Sequence, residues 1–179
     1  MADAVSVLQV APVHTRDPEV IFLLDELTSE LALSGYAESE MFGYSIAQLE
    51  QSQVHLVGAR AGRQLVGVGG VELQGGGVGE LKRFYVLPDH RGAGVADAVI
   101  TVLIGYAGDH DTQLLRLETG DKQRAAIAFY QRHGFVEIPR FGPYLRSATS
   151  VCMERRLNPG DGDPAEQPPD APEPNEAAQ

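Results

Sequence analysis

The sequence predicts a mixed α/β domain, and three patterns carry that reading. Three strand-like segments joined by glycine-containing turns occupy residues 54–86. An Asp-Pro pair opens a helical stretch ahead of them. Behind them, two helical stretches are each followed by short apolar strands. A meander followed by two crossovers packs most simply as helices laid on one sheet.

The elements follow in order. Val5–Val10 alternates apolar and polar residues and reads as a first strand. Pro18–Leu33 carries Ile21, Leu24, Leu27 and Leu31 at helical spacing, with Asp17 as N-cap and Pro18 in the first turn. Gly35–Gln51 is irregular, with a short helix at Ile46–Gln51. Val54–Ala59, Leu65–Leu73 and Val78–Val86 form an antiparallel meander turned at Ala61-Gly62-Arg63 and Gly75-Gly76-Gly77. Gly94–Gly108 is helical and apolar around most of its circumference, so it is buried. Leu114–Glu118 is a strand, and Asp121 caps a helix running to about His133, where Gly134 ends it. Strands at Phe135–Ile138 and Ser150–Leu157 close the series. The sum is a mostly antiparallel sheet of about seven strands flanked by about four helices.

Composition narrows the classes. At 179 residues, 43% hydrophobic and 22% charged, the chain fits one globular domain. It has no apolar run of about 18 residues and no basic-then-apolar leader, so neither a membrane span nor a secretory signal is expected. A cytoplasmic location is the corresponding expectation. The single Cys152 reads as a small buried hydrophobe, and five dispersed histidines give no metal spacing. Residues 158–179 hold six acids, no Lys or Arg and many prolines, so we expect a disordered acidic tail behind a domain of residues 1–157. Without those six acids the body carries a formal charge of about −5, which argues against a nucleic-acid partner.

The chemistry concentrates in Glu80–Ala96. A strand (Glu80-Leu-Lys-Arg-Phe-Tyr-Val86) meets a proline turn and then Arg91-Gly-Ala-Gly-Val-Ala96 at the start of a helix. The first N–H groups of a helix lack intrahelical partners, and Gly92 and Gly94 clear the way for a phosphate to reach them. A dinucleotide fingerprint would need glycine at Asp97, and no Gly-Lys-Ser/Thr follows for a P-loop.

Together with Gln123-Arg-Ala-Ala-Ile-Ala-Phe-Tyr-Gln-Arg-His-Gly-Phe135, this stretch resembles the GNAT superfamily of N-acetyltransferases over about Leu56–Leu157. Arg91–Ala96 fits its R/Q-x-x-G-x-G/A loop, and residues 123–135 fit its N-x-x-A-x-x-x-Y-x-x-x-G-F helix, with Gln123 where Asn is usual. The Leu117-Glu-Thr-Gly120 and Phe141-Gly-Pro-Tyr144 segments are similar to small stand-alone bacterial members. The resemblance implies acetyl-CoA as donor, bound by Phe84, Tyr85, Val86, Arg91, Gly92, Ala93, Gly94, Val95, Ala96, Gln123 and Tyr130. It implies a bulge at Phe84–Val86 that frees an N–H for the thioester carbonyl. It places Glu80, directly or through water, as the base and Tyr130 as the acid that protonates the departing thiolate. It sets Tyr36, Glu38 and Phe42, from the segment linking the first helices, beside the acceptor with Lys82, Phe141 and Tyr144.

The residue types suit that chemistry. An alkylamine is only about one part in 10³ neutral at pH 7, so attack needs a base. Each assignment has a structural alternative: Glu80 as a strand-start carboxylate, Tyr130 as one more core aromatic, Lys82 as half of an ion pair. The expected activity is acetyl transfer to the amine of a small metabolite in a ternary complex. The alternatives are a protein or peptide amine as acceptor, or a non-catalytic acyl-CoA sensor. Either a monomer or a homodimer is compatible with the sequence.

Overall fold

The computed structural model describes residues 8–158. The expected tail beyond Asn158 and the first residues of the expected opening strand lie outside that range. Seven strands form one sheet: β1 (Leu8–Pro12), β2 (His55–Ala61), β3 (Gln64–Gly75), β4 (Val78–Val86), β5 (Leu114–Gly120), β6 (Val136–Ile138) and β7 (Ser150–Arg156). Their order across the sheet is β1-β2-β3-β4-β5-β7-β6. Every pairing is antiparallel except β4 with β5. Four helices, α1 (Pro18–Leu33), α2 (Ile46–Gln51), α3 (Val95–Asp109) and α4 (Arg124–Arg132), flank the sheet.

Local chemistry explains where most helices begin. The Asp17 side chain accepts from Glu19 N at 2.9 Å, and Pro18 occupies the first turn of α1, where no N–H is needed. Ser45 and Gln48 form a reciprocal capping box on α2. The start of α4 differs from expectation, because Gln123 rather than Asp121 is its N-cap. Asp121 instead accepts from the Tyr36 hydroxyl at 3.2 Å, while Lys122 N donates to that same oxygen at 2.6 Å. A clasp from the distant end of α1 therefore replaces the local cap. Gly134 leaves α4 in the left-handed conformation (φ 78°), as its position predicts.

Both faces of the sheet are covered. Val99, Ile100 and Leu103 of α3 pack with Leu115, Leu117 and Phe135 on one side. Val20, Leu23 and Leu24 of α1 and Leu49 of α2 pack with Leu56, Val68 and Tyr85 on the other. Among the described residues no helix is long and apolar enough to cross a membrane.

Two irregularities shape the middle of the sheet. The first is a bulge in β4. Val68 pairs with Tyr85 and Gly70 with Lys82, so Gly69 alone faces Arg83 and Phe84. Arg83 takes the left-handed conformation (φ 54°) there, one residue ahead of the expected Phe84–Val86. Gly69 permits it, since a Cβ at that position would lie 2.9 Å from the Phe84 ring. The second is a splay. β4 and β5 pair only from Val78–Glu80 to Leu114–Arg116, and beyond that point the two strands run on unpaired with each other. Their far ends open a V-shaped cleft.

Candidate active site

A cavity of about 150 Å³ fills the mouth of this V. Lys82, Arg83 and Phe84 line it from β4, Glu118 and Gly120 from β5, and Tyr130 from α4. A roof of two loops lies over it. Glu40 accepts from Ser147 Oγ and, at 2.7 Å, from Thr149 Oγ1, which joins segment 38–44 to segment 142–149. The rings of Phe42 and Tyr144 meet edge to face at 5.1 Å across the same junction.

The residues expected at the acceptor side divide. Tyr36, Phe42, Lys82 and Tyr144 line the cavity. Glu38 and Phe141 do not. Glu38 borders a neighbouring hollow along α1, and Phe141 packs edge-on against Tyr144 at 5.2 Å with the Arg116 guanidinium over its face.

Glu80, the base that the sequence suggested, is set back from the cavity. It is 2% exposed and absent from the cavity lining. Its Oε1 accepts from Lys82 Nζ at 2.6 Å and from the Tyr144 hydroxyl at 2.6 Å, and its Oε2 accepts from Gln74 Nε2 at 2.7 Å. Lys82 also donates to the Tyr144 hydroxyl at 3.1 Å and lies 3.9 Å from Glu72. A buried carboxylate with both oxygens engaged is a satisfied ion pair, and this one does not line the cavity. Burial and the adjacent Glu80 charge push the Tyr144 phenol far above its ordinary range, so it remains a donor.

Two carboxylates do line the cavity: Glu40, held by Ser147 and Thr149 in the roof, and Glu118, which sequence reasoning missed. It stands near the end of β5, and its Oε1 accepts from Ser150 Oγ at 2.5 Å. Burial pushes its carboxyl above the usual carboxylate range, and the Glu80 charge adds to that, while Ser150 and Lys82 act in the opposite direction. The available signal was a lone acid within the apolar strand Leu114-Leu-Arg-Leu-Glu118. Tyr130 shares the cavity with it, packed among Phe84, Phe129 and Phe135. Burial, with the Glu118 charge behind it, holds the Tyr130 phenol well above its ordinary range, so the hydroxyl keeps its proton.

The glycine loop adjoins the cleft. Gly92 (φ 77°) and Gly94 (φ 78°) are both left-handed, and a Cβ on either would meet nothing within 4 Å. Backbone conformation rather than crowding calls for glycine at these two positions. Gly94 caps α3 with no side chain bonded to its first turn, so those N–H groups remain available to an anion. Arg91 does not point into the loop. It donates to Val86 O at 2.9 Å and pairs with Glu30 of α1 at 2.6 Å. Gln123 lines the cavity and donates to Ser34 Oγ at 3.3 Å. An open phosphate cradle leading into a cleft between splayed strands fits the diphosphate and the extended arm of an acyl-CoA.

Comparison with known proteins bears on the same point. The Acetyltransferase (GNAT) family profile matches residues 22–135, which contain the loop, both splayed strands and α4. The chain belongs to this family. It is therefore an acyltransferase, and its donor is acetyl-CoA. An IAA acetyltransferase of Azospirillum brasilense is 32% identical over 139 residues, covering 77% of this chain and 90% of that protein. A solved structure from Klebsiella pneumoniae, assigned to the acyl-CoA N-acyltransferases, superposes with a TM-score of 0.75 at 31% identity and covers 86% of this chain and 99% of that one. The PaiA N-acetyltransferase of Thermoplasma acidophilum, solved with coenzyme A, shares the fold (TM-score 0.69, 17% identity, 84% of this chain and 99% of that one).

Proposed function

We propose that this acetyltransferase acetylates the amine of a small metabolite by direct attack in a ternary complex, with Glu118 as base and Tyr130 as acid. The observation that carries the proposal is the small roofed cavity, which holds these two groups together at the splay of β4 and β5. A roof closed by Glu40 suits a metabolite better than a folded protein surface, which would need an open groove.

Acetyl-CoA supplies the thioester carbonyl and a thiolate leaving group. Phe84, Tyr85 and Val86 on β4 flank its acyl end, while the N–H groups of the loop from Arg91 to Ala96 hold the diphosphate. Gln123, at the start of α4, borders the arm between them. At the bulge, an N–H outside the β-ladder points a donor at the carbonyl oxygen, where negative charge develops. Glu118 takes the amine proton on its carboxylate. Its raised pKa makes it a stronger base than an exposed glutamate. Tyr130 Oη carries the proton that the sulfur needs, and its buried setting prevents earlier loss. Glu80 serves by holding Lys82 and Tyr144 in place.

A thiol-release assay with acetyl-CoA over amino acids, polyamines, aminoglycosides and short peptides tests the proposal. Turnover confined to small amines is the expected result. Turnover confined to peptides would replace the metabolite reading with a protein acceptor.

A further inference from the structure

The bulge turns one cation into the cavity, and that cation has no ion-pair partner. Lys82, its neighbour, is neutralised by Glu80 at 2.6 Å with Glu72 behind it. Arg83 is not. Its Nη2 donates to Leu24 O at 2.7 Å and to Thr28 Oγ1 at 2.9 Å, both uncharged acceptors. Its Nε is fully buried and has no hydrogen-bond partner. Asp25 acts on it electrostatically without forming an ion pair. Arg83 lines both the cavity at the splay and the hollow along α1 that adjoins it.

The surroundings hold this guanidinium in position. The left-handed Arg83 backbone brings its side chain into the cavity beside Lys82, whereas plain alternation along β4 would separate the two. On the roof, Gly43 lies directly against it, and a Cβ there would sit on Nη1. With both Nη2 hydrogens engaged and Nε buried, Nη1 is the nitrogen left to donate to a carboxylate, and a half-buried guanidinium left without an ion-pair partner is costly.

We propose that Arg83 binds a carboxylate of the acceptor, so that the substrate class is amino acids: an amine facing Glu118 and a carboxylate facing Arg83. This rests on the small-amine reading above. It assigns the positive end of the cavity to Arg83 instead of Lys82, whose charge is already met.

The test uses matched acceptors with the full-length enzyme: an amino acid, its carboxamide and the corresponding decarboxylated amine. For wild type, kcat/KM for the acid should exceed that for the other two by about 10- to 100-fold, mostly through KM. Arg83→Met should bring the preference to near unity, and Arg83→Lys should restore part of it. Gly43→Ala, which displaces the guanidinium without altering Arg83, should also erode the preference. Calorimetric binding of acetyl-CoA identifies any variant that has lost its fold. Equal wild-type turnover of acid, amide and amine would overturn this proposal alone. Absence of turnover with every small amine would overturn it together with the metabolite reading.

Discussion

Exchanging the carboxylates at positions 80 and 118 for amides separates structure from chemistry, because the two acids fail in different ways. Glu118→Gln retains an oxygen that accepts from Ser150 Oγ, so the fold loses little and Tm should stay within about 2 °C of wild type. Loss of the base should lower kcat/KM by about 10²–10⁴, equivalent to roughly 3–5 kcal/mol of transition-state stabilisation. Glu80→Gln has the opposite profile. It strips the close counter-charge from buried Lys82, leaving Glu72 at 3.9 Å, and sets an amide against the Gln74 amide. A cost of about 1–3 kcal/mol follows, hence a Tm roughly 2–12 °C lower, with much of the activity kept in the folded fraction. The assay is thiol release under second-order conditions alongside thermal melts. Its pH profile adds a further check. The base must be deprotonated, so kcat/KM rises with pH through the elevated Glu118 pKa, and Glu118→Gln should lose that limb. The reasoning fails if Glu118→Gln keeps kcat/KM within about tenfold of wild type. It fails equally if Glu80→Gln is inactive at an unchanged Tm.

Three further outcomes are expected. Tyr130→Phe should lower kcat by about 10- to 100-fold with KM little changed, since the hydroxyl acts on the leaving thiolate; stopped-flow thiol detection reads this directly. Gly94→Ala forces a side chain into a left-handed conformation at a cost of about 1–2 kcal/mol, and titration calorimetry should show weaker acetyl-CoA binding. Tyr36→Phe removes the acceptor of Lys122 N and the donor to Asp121, so it should lower stability in urea by about 1–2 kcal/mol.

The legibility of the site followed the range of the interactions that build it. The bounds of α1 were legible because Asp17 and Pro18 act within one turn of the helix start. The glycine loop was legible for the same reason. Asp121 misled because its carboxylate is taken by Tyr36, a residue 85 positions away. The roof depends on Glu40 meeting Ser147 and Thr149 across more than a hundred residues, which no local pattern encodes. Glu80 and Glu118 look alike in sequence. They separate only once the sheet closes over one and splays beside the other.

The bulge in β4 also works as a change of phase in the strand. Ahead of it, Leu81 faces the α3 side; after it, Val86 does so, with Phe84 packed against the same core, while Tyr85 joins the α1 side. Odd positions thus supply the α3 core before Arg83 and even positions after it. The faces that follow in this strand are correct only while the extra residue stays looped out opposite Gly69. Straightening the bulge with every residue kept would restore unbroken alternation and carry Phe84, Tyr85 and Val86 together to the wrong faces, much as a frameshift garbles every codon downstream.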